Sequence, residues 1–142
     1  MKQAKSSTQI DGGPASPLEI FIVDDDPDIA RFVSEVATPL GFSPRIAGGA
    51  KALMALMEKH SPAAIIMDIV MPDMDGVELI QWLGSHHLAV PIVIMTGYDS
   101  NYADAAEAIG RGNGAIVLGK LTKPFDISEL EAYLFQIQEA NQ

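Results

Sequence analysis

Ala63-Ala64-Ile65-Ile66-Met67-Asp68-Ile69-Val70-Met71-Pro72-Asp73-Met74-Asp75-Gly76 carries the pattern that the rest of the chain repeats. Ala63 to Met67 are apolar on consecutive positions, as expected of a strand buried on both faces. The run stops at a carboxylate, Asp68, and a helical pattern follows from Gly76 to His86. The same order recurs on either side. Leu18 to Val23 is a strand, followed by Asp24-Asp25-Asp26-Pro27. Asp26 can cap a helix that starts at Pro27, where a missing N–H costs nothing. Ile29, Phe32, Val33, Val36 and Leu40 give that helix its apolar stripe, and Gly41 ends it. Ser43 to Ala47 is a weaker strand, before a helical face of Ala50, Leu53, Met54 and Met57. Val90 to Met95 and Ala115 to Leu118 are further strands; Asp99 to Ile109 and Asp126 to Glu139 are further helices. Asp126-Ile127-Ser128-Glu129 has the form of a capping box, with Ile127, Leu130, Leu134 and Ile137 as the buried face behind it. Five strands alternating with five helices predict an α/β fold, a (βα)5 doubly wound five-stranded parallel sheet.

Composition narrows the function. The 142 residues amount to one domain, expected at 18–142 behind a flexible Ser-, Gly- and Pro-containing tail at 1–17. The absence of cysteine excludes disulfides, thiolate metal sites and thiol catalysis. A formal net charge of −10 repels phosphate backbones and anionic lipids, so neither nucleic acid nor membrane is an expected partner. No apolar run approaches the ~20 residues of a membrane span, and the N-terminus lacks a signal peptide's apolar stretch. The expected location is cytoplasmic.

Ligands of such sheets bind beyond the carboxyl ends of the strands. Asp24 and Asp25 follow the first strand, Asp68 the third, Thr96 the fourth, and Lys123 lies beyond the fifth. Each has an ordinary explanation alone: Asp caps helices, Thr is common at strand ends, and Lys before Pro is often solvated. Their joint placement on one rim is the signal. Three neighbouring carboxylates call for a hard divalent cation, and an oxygen-only donor set favours Mg²⁺. A carboxylate can attack phosphorus, and a lysine ammonium can neutralise the transferring oxygens.

The motifs Ile22-Val23-Asp24-Asp25-Asp26-Pro27, Ile66 to Gly76, Ile94-Met95-Thr96-Gly97 and Lys123-Pro124-Phe125 resemble those of the receiver domain of two-component response regulators, a CheY-like, flavodoxin-like fold. The resemblance runs from about Leu18 to the end. It implies that Asp68 accepts a phosphoryl group from a histidine kinase or histidine phosphotransfer protein. It implies that Asp25, Asp68 and the Val70 backbone carbonyl ligate Mg²⁺, with Asp24 holding the metal through water. It gives Lys123 the phosphoryl group as partner, makes Thr96 the group that moves on activation, and implies a cis Lys123–Pro124 bond. It further implies a phosphorylation-dependent switch rather than an enzyme that turns over. The signal would pass to a downstream protein effector, with room for a homodimer formed on phosphorylation.

One position departs from the family pattern. Receivers usually carry Tyr or Phe three residues before the lysine, and here that residue is Lys120. Val70 and Tyr98, two residues after Asp68 and Thr96, are bulky and neither acid nor amide. They predict an aspartyl phosphate lasting minutes or longer; decay in seconds after loading by a small phosphodonor would sink that expectation. Three other readings compete. Asp24, Asp26, Asp28 and Glu35 fit part of an EF-hand register, but Ile29 stands where Gly is needed and Pro27 interrupts. A haloacid-dehalogenase-type phosphatase needs an acid where Val70 stands. An adaptor that is never phosphorylated is kept open by Lys120. His60, His86 and His87 fall near helix ends without metal-site spacing, and Trp82 and the methionines are expected in core or partial-core packing.

Overall fold

The computed structural model describes residues 16–86, 89–97 and 100–142. Five strands, β1 (Leu18–Val23), β2 (Phe42–Ala47), β3 (Ala64–Asp68), β4 (Pro91–Thr96) and β5 (Ile116–Thr122), form one parallel sheet in the order β2-β1-β3-β4-β5. Between and after them run α1 (Pro27–Ala37), α2 (Ala50–Lys59), α3 (Gly76–His86), α4 (Ser100–Gly112) and α5 (Ile127–Ala140). This is the expected (βα)5 architecture.

Successive strand residues point to opposite faces, which is why the central strands are apolar throughout. Phe21, Val23, Ile65, Met67, Ile92 and Ile94 join Leu53 of α2, Leu79, Ile80 and Leu83 of α3, and Ala103 and Ala106 of α4 in one core. Ile20, Ile22, Ala64, Ile66, Val93 and Met95 join Ala30, Val33 and Ala37 of α1 and Leu130, Leu134 and Ile137 of α5 in the other. Each fully buried Leu or Ile contributes about 2 kcal/mol, and Leu130, Leu134 and Ile137 supply three such residues for α5. Ile127 is not among them: it is half exposed, because it precedes the first turn that reaches the sheet. The methionines at 57, 67, 71 and 95 are buried, whereas Trp82 is only partly covered and stacks on His86.

The helix ends follow their local chemistry. Asp26 accepts from the Asp28 N–H at 2.9 Å with Pro27 next in line, and Asp126 and Glu129 form the reciprocal capping box. A 3₁₀ turn, Thr38–Leu40, extends α1 to Gly41, whose φ of 96° is left-handed. The expected tail lies largely outside the described residues.

Strand β5 differs most from expectation. It runs to Thr122 rather than stopping at Leu118. Ile92 pairs with Val117 but Val93 pairs with Gly119, so Leu118 is bulged out. The skipped residue restores the alternation, and Leu121 is buried beside Met95. The polar Gly119-Lys120 pair masked this continuation.

Candidate functional site

Strand order reverses between β1 and β3, and their carboxyl ends bring Asp24 and Asp68 together. Asp24 is 2% exposed and Asp68, the last residue of β3, is 7% exposed. With exposed Asp25 they each present a carboxylate oxygen, all within 4.8 Å of one another. Asp26 stands outside this group as the helix cap. The EF-hand register is overturned: α1 begins at Pro27, and Asp28 pairs with Arg31 at 2.6 Å.

Lys123 lies between the two buried acids. Its Nζ is 2.8 Å from Asp24 Oδ2 and 2.8 Å from Asp68 Oδ2. Its backbone N–H donates to the Thr96 carbonyl at 2.7 Å, which ties the end of β4 to the loop after β5. The Lys123–Pro124 bond is cis. Thr96 closes β4 at 2% exposure. Asp68, Val70, Thr96, Gly97, Tyr102 and Lys123, with Ile29 and Pro124, line a cavity of about 540 Å³.

The charges are unbalanced. Burial pushes the Asp24 carboxyl above its usual range, and nearby Asp68 adds to this, while Lys123 and the Asp26 N–H oppose it. Burial works against the charge on Lys123, but its hydrogen bonds to Asp24 and Asp68 outweigh it and raise its pKa. Three carboxylates against one ammonium leave an excess of two negative charges. A divalent cation would balance that excess, and the donor set is oxygen only. The residues therefore fit a hard metal of the Mg²⁺ kind.

The loop from Ile69 to Asp75 is held by contacts that the sequence reading did not single out. The Asp68 Oδ1 accepts from the Val70 N–H at 2.8 Å. Val70 and Asp75 form an antiparallel bridge. Asp75 caps α3 by accepting from the Val77 N–H at 2.8 Å, and it also accepts from the Tyr102 hydroxyl at 2.5 Å. Burial, together with the Asp75 carboxylate, pushes the Tyr102 phenol up to about 12. Asp73 accepts from the Ala50 and Lys51 N–H groups at 3.1 and 3.2 Å, capping α2 where Gly49 offers no side chain. The acids at 73 and 75 are caps. Capping α3 was legible locally; capping α2 from over 20 residues away was not.

Lys120 points away from the acid group and pairs with Asp104 of α4. His60 lies near Glu19, at 3.5 Å, and neither it nor His86 approaches the acid group. Tyr98 and His87 lie outside the described residues.

A family profile described as "Response regulator receiver domain" matches residues 20–135. The regulatory protein AtoC of Escherichia coli (strain K12) is 33% identical over 111 residues, 78% of this chain and 23% of that protein. Response regulator Rre1 of Synechocystis is 31% identical, across 83% of this chain and 50% of the relative. The chain thus spans about a quarter to a half of the length of these curated relatives. Among solved structures, the Francisella response regulator 1452 receiver domain superposes with a TM-score of 0.73 at 26% identity, covering 88% of this chain and 99% of that one. A CheY-like response regulator receiver domain protein of Methanospirillum hungatei does so with a TM-score of 0.74 at 25% identity, over 88% and 99%.

Proposed function

This chain belongs to the response regulator receiver domains, and we propose that Asp68 is the carboxylate on which it carries its phosphoryl group. Receivers are regulatory phosphoacceptors rather than enzymes that turn over, so the chemistry required is one transfer and a lasting change. The observation that carries the assignment is the position of Asp68: at the end of a central strand, beside two other acids, with the Lys123 ammonium at 2.8 Å.

In this reading an Asp68 carboxylate oxygen attacks phosphorus. A new O–P bond forms, the bond to the donor breaks, and the donor leaves with the electron pair. Mg²⁺, when bound by Asp24, Asp25, Asp68 and the Val70 carbonyl, would neutralise phosphoryl oxygens. Lys123 supplies a second positive charge from beyond the carboxyl end of β5, on the same rim as the acids, positioned in advance by its two carboxylate partners and its link to Thr96. Thr96, which lines the same cavity, would hydrogen-bond the group after transfer. The receiver unit extends from residue 18 through α5. Its donor is the phosphohistidine of a kinase or phosphotransfer protein, and its output passes through contact with a downstream protein. Among the described residues no helix is long and apolar enough to cross a membrane.

The test is the mass change on exposure to acetyl phosphate with Mg²⁺. The intact chain is expected to gain one phosphoryl group, and Asp68→Asn none. Failure of the intact chain to gain it would favour an adaptor that works without phosphorylation.

A further inference from the structure

Val70 is an exposed apolar residue of the site: it is 64% exposed, so no core packing sets its backbone. Mg²⁺ demands near-ideal placement of its oxygen ligands. Something other than packing must hold the Val70 carbonyl, and a chain of three contacts does so. The Tyr102 hydroxyl of α4 donates to Asp75 Oδ1 at 2.5 Å. The backbone of Asp75 is bridged to Val70. The Val70 N–H donates to Asp68 Oδ1 at 2.8 Å. Tyr102 also lines the cavity that holds Asp68, Thr96 and Lys123.

We propose that Tyr102 is a positioning residue for the phosphoacceptor loop, fixing the backbone of Val70 through the Asp75 carboxylate. The inference rests on the reading of Val70 as a metal ligand. Groups that orient a metal's ligands without touching the metal typically change its affinity by about 10- to 100-fold when removed. The hydroxyl is the part that matters, since the ring belongs to the cavity wall and remains in Tyr102→Phe.

The experiment is Mg²⁺ binding by calorimetry on the intact chain, with thermal unfolding in the absence of Mg²⁺ recorded in parallel. Tyr102→Phe is expected to raise the Kd for Mg²⁺ about 10-fold while unfolding near the wild-type temperature. Asp75→Ala is expected to weaken binding at least as much, and adding Tyr102→Phe to it to change nothing further, because the hydroxyl acts through that carboxylate. Asp75→Asn keeps an oxygen that accepts both hydrogen bonds and should bind closer to wild type than Asp75→Ala. Should Tyr102→Phe bind Mg²⁺ as the wild type does, or the two losses multiply, the inference is overturned while the receiver reading stands. Should the wild type bind no Mg²⁺ at all, the inference falls together with the reading of Val70 as a metal ligand.

Discussion

The loop after β3 and the flank formed by β5 and α4 are built to different standards. Every acid in the first has an assigned partner: Asp68 holds Val70 and Lys123, Asp73 caps α2, and Asp75 caps α3 and accepts from Tyr102. Gly76 is wedged so closely that a Cβ there would strike the Ile69 carbonyl. The second carries a bulge at Leu118, a glycine at 119 under Tyr133, and a surface ion pair from Lys120 to Asp104. Transfer chemistry tolerates little misplacement, so the β3 loop is over-determined. The flank has no reacting atoms to align and can vary.

The largest effect should come from Lys123, which follows the bulged strand β5 yet serves the acid site. Lys123→Met removes the one cation that, among the described residues, contacts both buried acids. Phosphoryl loading from acetyl phosphate should slow by about 10²-fold, the usual cost of losing one charge-stabilising donor. The rate of mass gain measures it; loading at the wild-type rate would mean that this lysine serves structure alone.

Gly76→Ala tests the loop by packing rather than charge. Its neighbours are backbone atoms of Ile69, which cannot swing aside as a side chain can. Urea unfolding should show a loss of about 3 kcal/mol, at the top of the range for overpacking. A loss below about 1 kcal/mol would show the loop to be softer than its contacts suggest.

Much of this contrast was legible in the sequence, for reasons that differ by residue. The continuous apolar strands and the Asp26 and Asp126 caps are local signals, and they located β1, β3, β4, α5 and the start of α1 to within a residue, whereas α1 ends at Ala37, three residues before Leu40, in a 3₁₀ turn. The site residues could be placed on one rim because parallel strands put all their carboxyl ends together. The full length of β5 was hidden, because a bulge shifts the alternation and no single window shows it. Tyr102 and Asp73 were hidden for another reason: their partners lie 27 and 23 residues away, a distance only the fold closes.

Asp24 sharpens the comparison through pH. Its folded carboxyl is raised above the ordinary value, chiefly by burial, so its ionisation opposes folding once the pH passes through the raised value. Asp73 and Asp75 are lowered, Asp73 by the α2 N–H groups and Asp75 by the Tyr102 hydroxyl and the Val77 N–H. They add stability above the ordinary carboxylate value of 3.8 and lose it as pH falls through their folded values. Asp24→Asn should therefore unfold at higher urea than wild type at pH 7 without Mg²⁺, with the difference vanishing toward pH 3.8, and should bind Mg²⁺ more weakly. A destabilised Asp24→Asn at neutral pH would reverse the sign and remove the cost assigned to this site.

The smallest effect belongs to the flank. Lys120→Met breaks the pair with Asp104, but that aspartate is mostly solvent-exposed and the pair bridges only α4 and β5. Exposed ion pairs contribute little to stability and are screened by salt. The unfolding midpoint should move little and less in 1 M salt, and Mg²⁺ affinity and phosphoryl loading should stay within about twofold of wild type. If loading instead falls as far as in Lys123→Met, the flank shares in the chemistry and the division between the two regions fails. If only contact with a downstream protein changes, Lys120 belongs to readout, which is where its departure from the family's usual aromatic residue would place it.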